Sequence, residues 1–218
     1  MTNAHSHKTP LVIGIVGGIA SGKSEVTRML GAMNATIICA DEIAHRVLLE
    51  PEVIDSLEKI FGTSILQSSG SHPNTLLAID RNKLGSMVFG DSADKQVMRK
   101  RLEAIVHPRI RQIAKLELEK LLREASQHMV ILDAPLLIEG GWLPYCKRVL
   151  FVHSPDEMRK QRAMERGWTE KEWHDRESAQ MSLSEKKRHA TDVLVNDGTI
   201  EQLQQRVVDF VGKLPISL

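Results

Sequence analysis

The sequence predicts an α/β fold: a five-stranded parallel sheet flanked by helices. Three observations predict it. Short β-branched and aliphatic runs recur along the chain, each bounded by turn residues. Helical patterns lie between these runs, and strands that alternate with helices build a parallel sheet covered on both faces. The first run, "LVIGIV", dissolves into "GGIASG" and leads straight into a helix. Such a strand-to-helix turn stands at the end of an α/β sheet where ligands bind.

Leu11 to Val16 is continuously apolar, as a strand buried on both faces must be. A helix is expected from Lys23 to about Met33, with Met29, Met33 and Met87 as core filler. "ATIICA" (35–40), "MVILDA" (129–134), "RVLFVH" (148–153) and "DVLVN" (192–196) supply the other four strands. Thr199 and Gln202 form a capping-box pattern for the last helix. Ile200, Leu203, Val207, Phe210 and Val211 then fall on one face.

Two intervals are too long to be connections. Residues 42–128 read as mostly helical. Ile110, Ala114, Leu118, Leu121 and Ala125 make one stripe, and Pro108 is expected in that helix's first turn. Gln67 to Asn74 reads as loop. Residues 155–189 form the second interval. Between Asp156 and His189 it carries nine Lys/Arg and eight Asp/Glu, the composition of a solvated helical flap. The expected organisation is one domain over 1–218. Its core is residues 10–41, 129–154 and 190–214, and the two intervals are insertions over one end of the sheet.

Composition narrows the function. Lys and Arg number 29 against 28 Asp and Glu, which argues against a nucleic-acid partner. The longest nearly apolar run, Leu11 to Ala20, is far short of a membrane span. The first nine residues are polar and lack the pattern of a signal peptide. Two distant cysteines, Cys39 and Cys146, are expected as reduced thiols of a cytoplasmic protein. A monomer or weak homo-oligomer is expected. The histidines show no metal-ligand spacing among themselves or with cysteine.

Gly17-Gly18-Ile19-Ala20-Ser21-Gly22-Lys23-Ser24 fits G-x-x-x-x-G-K-[ST]. Glycines let successive N–H groups converge into an anion-binding nest, and the helix that follows adds its positive end. Lys23 supplies a point charge for the β- and γ-phosphates, and the Ser24 hydroxyl is placed for Mg²⁺. The expected ligand is a nucleoside triphosphate, and the expected fold is that of P-loop NTPases. A guanine-nucleotide switch is disfavoured. Asn82-Lys83-Leu84-Gly85 has glycine where base recognition needs a carboxylate, and Asp133-Ala134-Pro135-Leu136 lacks the switch glycine. A small-molecule kinase remains. One interval would hold the acceptor and the charged one would close over ATP as a lid.

"GIVGGIASGKS", "CADEIAHRVLLEP", "IDRNKLGSMVF", "LEAIVHPRIR", "DAPLLIE" and "VLVNDGT" occur in the order and spacing typical of dephospho-CoA kinases. The chain resembles that family from about Leu11 to Phe210. The resemblance implies ATP-dependent phosphorylation of the ribose 3′-hydroxyl of dephospho-CoA, the last step of coenzyme A biosynthesis, with Mg²⁺. Two departures stand out. Cys39-Ala40-Asp41 replaces the usual D-A-D, which keeps only the second carboxylate. In the loop, Ala20 and Glu25 stand where glycine and threonine are usual. Another small-molecule P-loop kinase and a non-catalytic nucleotide-binding regulator are the alternatives.

Candidate roles follow. Residues Gly17 to Glu25 are expected around the nucleotide. Asp41, after the second strand, is either a helix cap or the base that orients the acceptor hydroxyl. Arg159, Arg162 and Arg166 are expected on one helix face. Arg162, by resemblance, is the best candidate to clamp phosphates, with Arg166 beside it. By resemblance Arg81, His107, Leu136 and Glu139 contact the acceptor. Asp133 ends its strand where it could reach Mg²⁺ through water, or it shapes the turn. Asn196 borders the adenine or shapes the turn after the fifth strand.

Overall fold

The structure, a computed structural model, describes residues 10–67, 78–90, 92–124, 129–134 and 136–215. Five strands form one parallel sheet in the order β2-β3-β1-β4-β5. They are β1 (Leu11–Gly17), β2 (Thr36–Cys39), β3 (Met129–Asp133), β4 (Arg148–His153) and β5 (Asp192–Val195). All seven residues of β1 are buried, as its unbroken apolar run requires. Ile13 pairs with Ile131 on one side and Arg148 on the other, and Ile15 with Asp133 and Leu150. The chain therefore departs to opposite sides of β1, and Gly17 ends that strand at the switch point where α/β sheets bind ligands.

Helices α1 (Lys23–Ala32) and α9 (Ile200–Gly212) supply the layer on one face. Ile13, Ile15, Ile131, Leu150 and Val152 of the sheet meet Val26, Leu30, Leu203, Val207 and Val211 in a single cluster. Each such fully buried aliphatic side chain contributes about 1.5–3 kcal/mol. The capping box of α9 is present: Thr199 takes the Gln202 N–H, and Gln202 takes that of Thr199. Ile200 departs from the expected face and is exposed, because packing of α9 begins one turn later at Leu203. On the other face of β1, a Cβ at Gly14 would lie 2.7 Å from Leu137 Cδ1 and 2.8 Å from Cys146 Sγ.

The chain divides into two compact units, one of residues 1–39 and 118–218 around the sheet, the other of residues 40–117. The second is helical. It comprises α2 (Ala40–Val47), α3 (Pro51–Phe61), α4 (Arg81–Val88) and most of α5 (Ala93–Glu124), with an antiparallel bridge between Leu66 and Ile79. Pro51 opens α3, where its missing N–H costs nothing. Asp80 caps α4 by accepting the Asn82 and Lys83 N–H groups. Ion pairs Arg109–Glu50 and Arg46–Glu117, both at 2.6 Å, tie α5 to the start of this unit.

Pro108 does not begin a helix; it lies inside α5. Ten of the fifteen residues before it are Ala, Arg, Lys, Gln, Met, Leu or Glu, good helix formers, so one lost hydrogen bond does not end the helix. Of the expected stripe, Ala114 and Leu118 are buried, and Ile110 and Leu121 half-buried. Ala125 lies outside the described residues, as do residues 68–74 of the expected loop.

The charged interval folds into α6 (Asp156–Glu165), α7 (Glu170–Ser178) and α8 (Leu183–Arg188), the last two opened by capping boxes. It is not uniformly solvated. Arg159, Ala163 and Lys186 are buried, at 2%, 0% and 2% exposure. Among the described residues no helix is long and apolar enough to cross a membrane.

Candidate functional site

The loop between β1 and α1 is shaped by its backbone. Gly22 has φ 94°, a left-handed value that glycine adopts without steric penalty. It stands at the N-cap of α1, and no side chain caps that helix. Ser21 N–H donates to Gly18 O, and the Glu25 and Val26 N–H groups both donate to Gly22 O. Among the described residues no protein oxygen accepts the N–H groups of Gly22, Lys23 and Ser24. The Ser21 hydroxyl is buried and likewise without a partner. Three orphan donors at the positive end of a helix form an anion site. Lys23 is half-buried beside them, and Ser24 is exposed.

The loop's carbonyls face donors on the outside. Lys186 Nζ lies 3.5 Å from Gly17 O, and Arg159 Nη1 3.3 Å from Ile19 O. Arg162 Nη1 lies 3.5 Å from Ala20 O, and Asn196 Nδ2 donates to Ser21 O at 2.8 Å. These four side chains come from α6, α8 and the turn after β5. Asn196 is buried, and its own N–H is fixed by His153 O at 2.7 Å. Its Oδ1 faces Arg162 Nη2 at 3.4 Å, while Arg162 Nη1 donates to Ser154 Oγ at 3.0 Å. Asn196 therefore braces the loop directly.

Arg159 is more deeply engaged than a solvated face would allow. Nη1 donates to Glu177 Oε1 at 2.7 Å and Nη2 to Asp156 Oδ1 at 2.8 Å. Its guanidinium lies over the Trp173 ring at 5.4 Å and so close to Gly18 that a Cβ there would collide with Nη1. Glu177 Oε2 in turn accepts the Ile19 N–H at 3.0 Å. Lys186 has its ammonium on Gln180 Oε1 at 2.6 Å, and burial pushes its pKa down. Arg166 parts from this group: it is the exposed C-cap of α6.

Other candidates are placed as follows. Glu25 spends its carboxylate on Arg28, whose hydrogen bonds lower its pKa, and its N–H on Gly22. Asp133 ends β3 and accepts the Thr27 hydroxyl at 2.8 Å through Oδ2. Asp41 is exposed inside the first turn of α2, not ahead of it as a cap would be. It follows Cys39, which pairs with Asp133 across β2 and β3. Leu136 and Glu139 lie in the turn after β3, and Glu139 accepts the Met181 N–H at 3.0 Å. Arg81 is the exposed first residue of α4; His107 is half-buried in the middle of α5, not at a helix start.

Glu177 and Lys186 were not among the expected site residues. Lys186 shares an i, i+3 face with Leu183, but Lys187 shares it at i, i+4, so spacing alone does not single out Lys186. Nothing local marks Glu177, whose partners lie 18 and 158 residues away.

The comparisons agree with this geometry. The family model for dephospho-CoA kinase matches residues 11–202. The chain is 41% identical over 202 residues to a dephospho-CoA kinase of Geobacillus kaustophilus, covering 91% of this chain and 94% of that protein. It is 38% identical to one of Geobacter sulfurreducens, covering 93% and 98%. Among solved structures, a Thermus thermophilus protein superposes with TM-score 0.72 at 34% identity, covering 95% and 99%. A dephospho-CoA kinase from Campylobacter jejuni superposes with TM-score 0.65 at 26% identity, covering 93% and 96%. A loop that offers orphan N–H groups to phosphate, at the switch point of this sheet, and relatives that match along nearly the whole chain give one conclusion: the chain belongs to the dephospho-CoA kinase family.

Proposed function

We propose that this protein transfers the γ-phosphoryl group of ATP to the ribose 3′-hydroxyl of dephospho-CoA, giving CoA and ADP. The observation that carries the reading is the uncapped start of α1, where the Gly22, Lys23 and Ser24 N–H groups have no protein acceptor among the described residues. Phosphate oxygens fit those donors, and the Lys23 ammonium adds charge for the β- and γ-phosphates.

Mg²⁺ fits the same end of the sheet. The Ser24 hydroxyl is exposed, and Asp133 keeps one carboxylate oxygen clear of its bond to Thr27. Ser24 would hold the ion directly and Asp133 through water, and an ion held there would supply positive charge to neutralise the phosphates. Asp41 is assigned to accept or orient the hydroxyl proton, supported by its exposure just after the β2 strand end. Residues 42–128 are assigned to the acceptor, with Arg81 and His107 as contacts alongside Leu136 and Glu139. Residues 155–189 are assigned as the lid, where Arg162 neutralises the moving phosphoryl group and Arg166 reaches the nucleotide. Location in the cytoplasm, and action as a monomer or weak homo-oligomer without nucleic acid, complete the reading.

The test is ADP release from ATP and Mg²⁺ with a panel of acceptors. Dephospho-CoA should accelerate it strongly, and adenosine and shikimate should not. Equal acceleration by a simple nucleoside would transfer the assignment to another kinase. ATP binding without turnover on any acceptor would favour a non-catalytic regulator.

A further inference from the structure

We propose that Glu177 is a positioning residue for the nucleotide, which acts through Arg159 and the Ile19 peptide to hold the phosphate loop in its binding shape before nucleotide arrives. The inference rests on the reading that this loop binds ATP. It assigns Glu177 no contact with substrate.

A trans peptide is planar, with its C=O and N–H pointing in opposite directions. Pinning a carbonyl outward therefore turns the next N–H inward. The Asn196 bond to Ser21 O fixes the Gly22 N–H in this way, and Arg159 at Ile19 O does so for the Ala20 N–H. Lys186 at Gly17 O does so for Gly18. Ile19 is held at both ends, its C=O by Arg159 and its N–H by Glu177. One Glu177 oxygen holds the peptide and the other holds the arginine, so a single carboxylate sets both pins. The Ile19 N–H points to α7 and is not part of the phosphate nest. Glu177 therefore has no need to leave when phosphate enters.

Both partners of Glu177 are donors, so glutamine cannot replace it. Gln is isosteric, but its one carbonyl oxygen can satisfy only one of the two, and its NH₂ is turned against the other. Arg159 is 2% exposed, so it gains no solvent in exchange. Shorter aspartate keeps two acceptor oxygens and the charge.

The experiment measures ATP and ADP affinity by calorimetry, with steady-state kinetics on dephospho-CoA, for wild type, Glu177→Gln, Glu177→Asp and Lys23→Ala. Glu177→Gln is expected to weaken ATP and ADP alike by about tenfold, with kcat at saturating ATP within about threefold of wild type. Glu177→Asp should recover part of the affinity. Amide exchange in nucleotide-free wild type should show the Ile19 and Ser21 amides protected, the two in this segment with protein acceptors, and Glu177→Gln should release them; this second readout stands even where a variant is poorly soluble. A kcat loss with unchanged ADP affinity would overturn the inference, because it would mean contact with the transferred group. So would unchanged affinity with a lower melting temperature, the mark of a purely structural role. Wild type that binds neither nucleotide, like Lys23→Ala, would overturn the ATP reading itself and this inference with it.

Discussion

Replacing Gly22 by alanine tests the loop geometry at its tightest point. Two separate penalties follow from the structure. Gly22 has φ 94°, and a residue with a Cβ in left-handed backbone costs about 1–2 kcal/mol. The added Cβ also collides with Asn196 Nδ2, which is bonded to Ser21 O at 2.8 Å. Moving Asn196 away leaves a buried carbonyl unpaired, a further cost of about 1–3 kcal/mol. The sum is about 2–5 kcal/mol, which lowers the melting temperature by about 4–20 °C in a chain of this size. ATP affinity falls as well, because the Gly22 N–H is one of the orphan donors. Asn196→Ala alone should cost about 1–3 kcal/mol by losing the same bond. The double variant separates the causes: with Asn196 removed the collision is gone, so Gly22→Ala adds only its backbone strain. The double-mutant cycle should thus show the two changes overlapping by about 1–3 kcal/mol, as contacting residues do. The assay is thermal or urea unfolding of all four proteins, with ATP titration of each. Strict additivity would refute the steric argument, and a Gly22→Ala protein that melts and binds ATP like wild type would refute the whole account of the loop.

Three further outcomes follow. Lys23→Ala should reduce turnover by about 10²–10³ while the protein folds normally; activity within a few-fold of wild type would remove the loop from the phosphate site. Asp41→Asn should retain ATP affinity and melting temperature but lower kcat by about 10²-fold, and wild-type turnover would leave Asp41 without a role. Burial pushes the Cys146 thiol from 9.0 up to about 11, so its thiolate fraction below pH 9 is about a hundredfold lower than that of an unperturbed thiol. Alkylation of the Cys146 peptide, followed by mass spectrometry, should keep accelerating from pH 9 towards 11, and the stability that the protonated thiol contributes is full below pH 9 and lost across that interval; a plateau at pH 9 would contradict its burial.

The elements were legible where local chemistry decides them. Five apolar runs became five strands because the β-branched and aliphatic residues that announce each strand lie within the strand itself. Thr199 and Gln202 announced a helix start because both partners of the capping box lie within one turn. The phosphate loop was legible for the same reason: its glycines, lysine and serine are contiguous. Pro108 misled because the rule that places proline in a first turn weighs one residue, and α5 is decided by the fifteen before it. Ala20 stands at an unspecified position of G-x-x-x-x-G-K-[ST], so the motif alone places no demand on it. The structure gives it φ 59°, where its methyl is strained and the glycine usual in the family would not be.

The charged interval shows why the remainder was not legible. Its composition is that of a solvated surface, and Arg166, Lys171 and Arg176 fit that description, with Lys171 paired to Asp175 at 2.9 Å and Arg176 over Trp168. Arg159 and Lys186 are the same residue types in the same run, yet both are buried. Burying a charge requires partners close by; Arg159 has Asp156 and Glu177, Lys186 has Gln180, and both also reach carbonyls of the loop 140 and 169 residues away. No window of sequence contains both ends of such a contact. A segment with few apolar anchors should open at little cost, which predicts a segment mobile without ligand and ordered with ATP. These buried polar bonds work against that expectation: α6 and α8 are fastened to the phosphate loop by the same groups that shape it. If residues 155–189 open as the proposed lid, the loop's carbonyls would lose these donors, and lid position and phosphate affinity would be coupled through the backbone of residues 17–21.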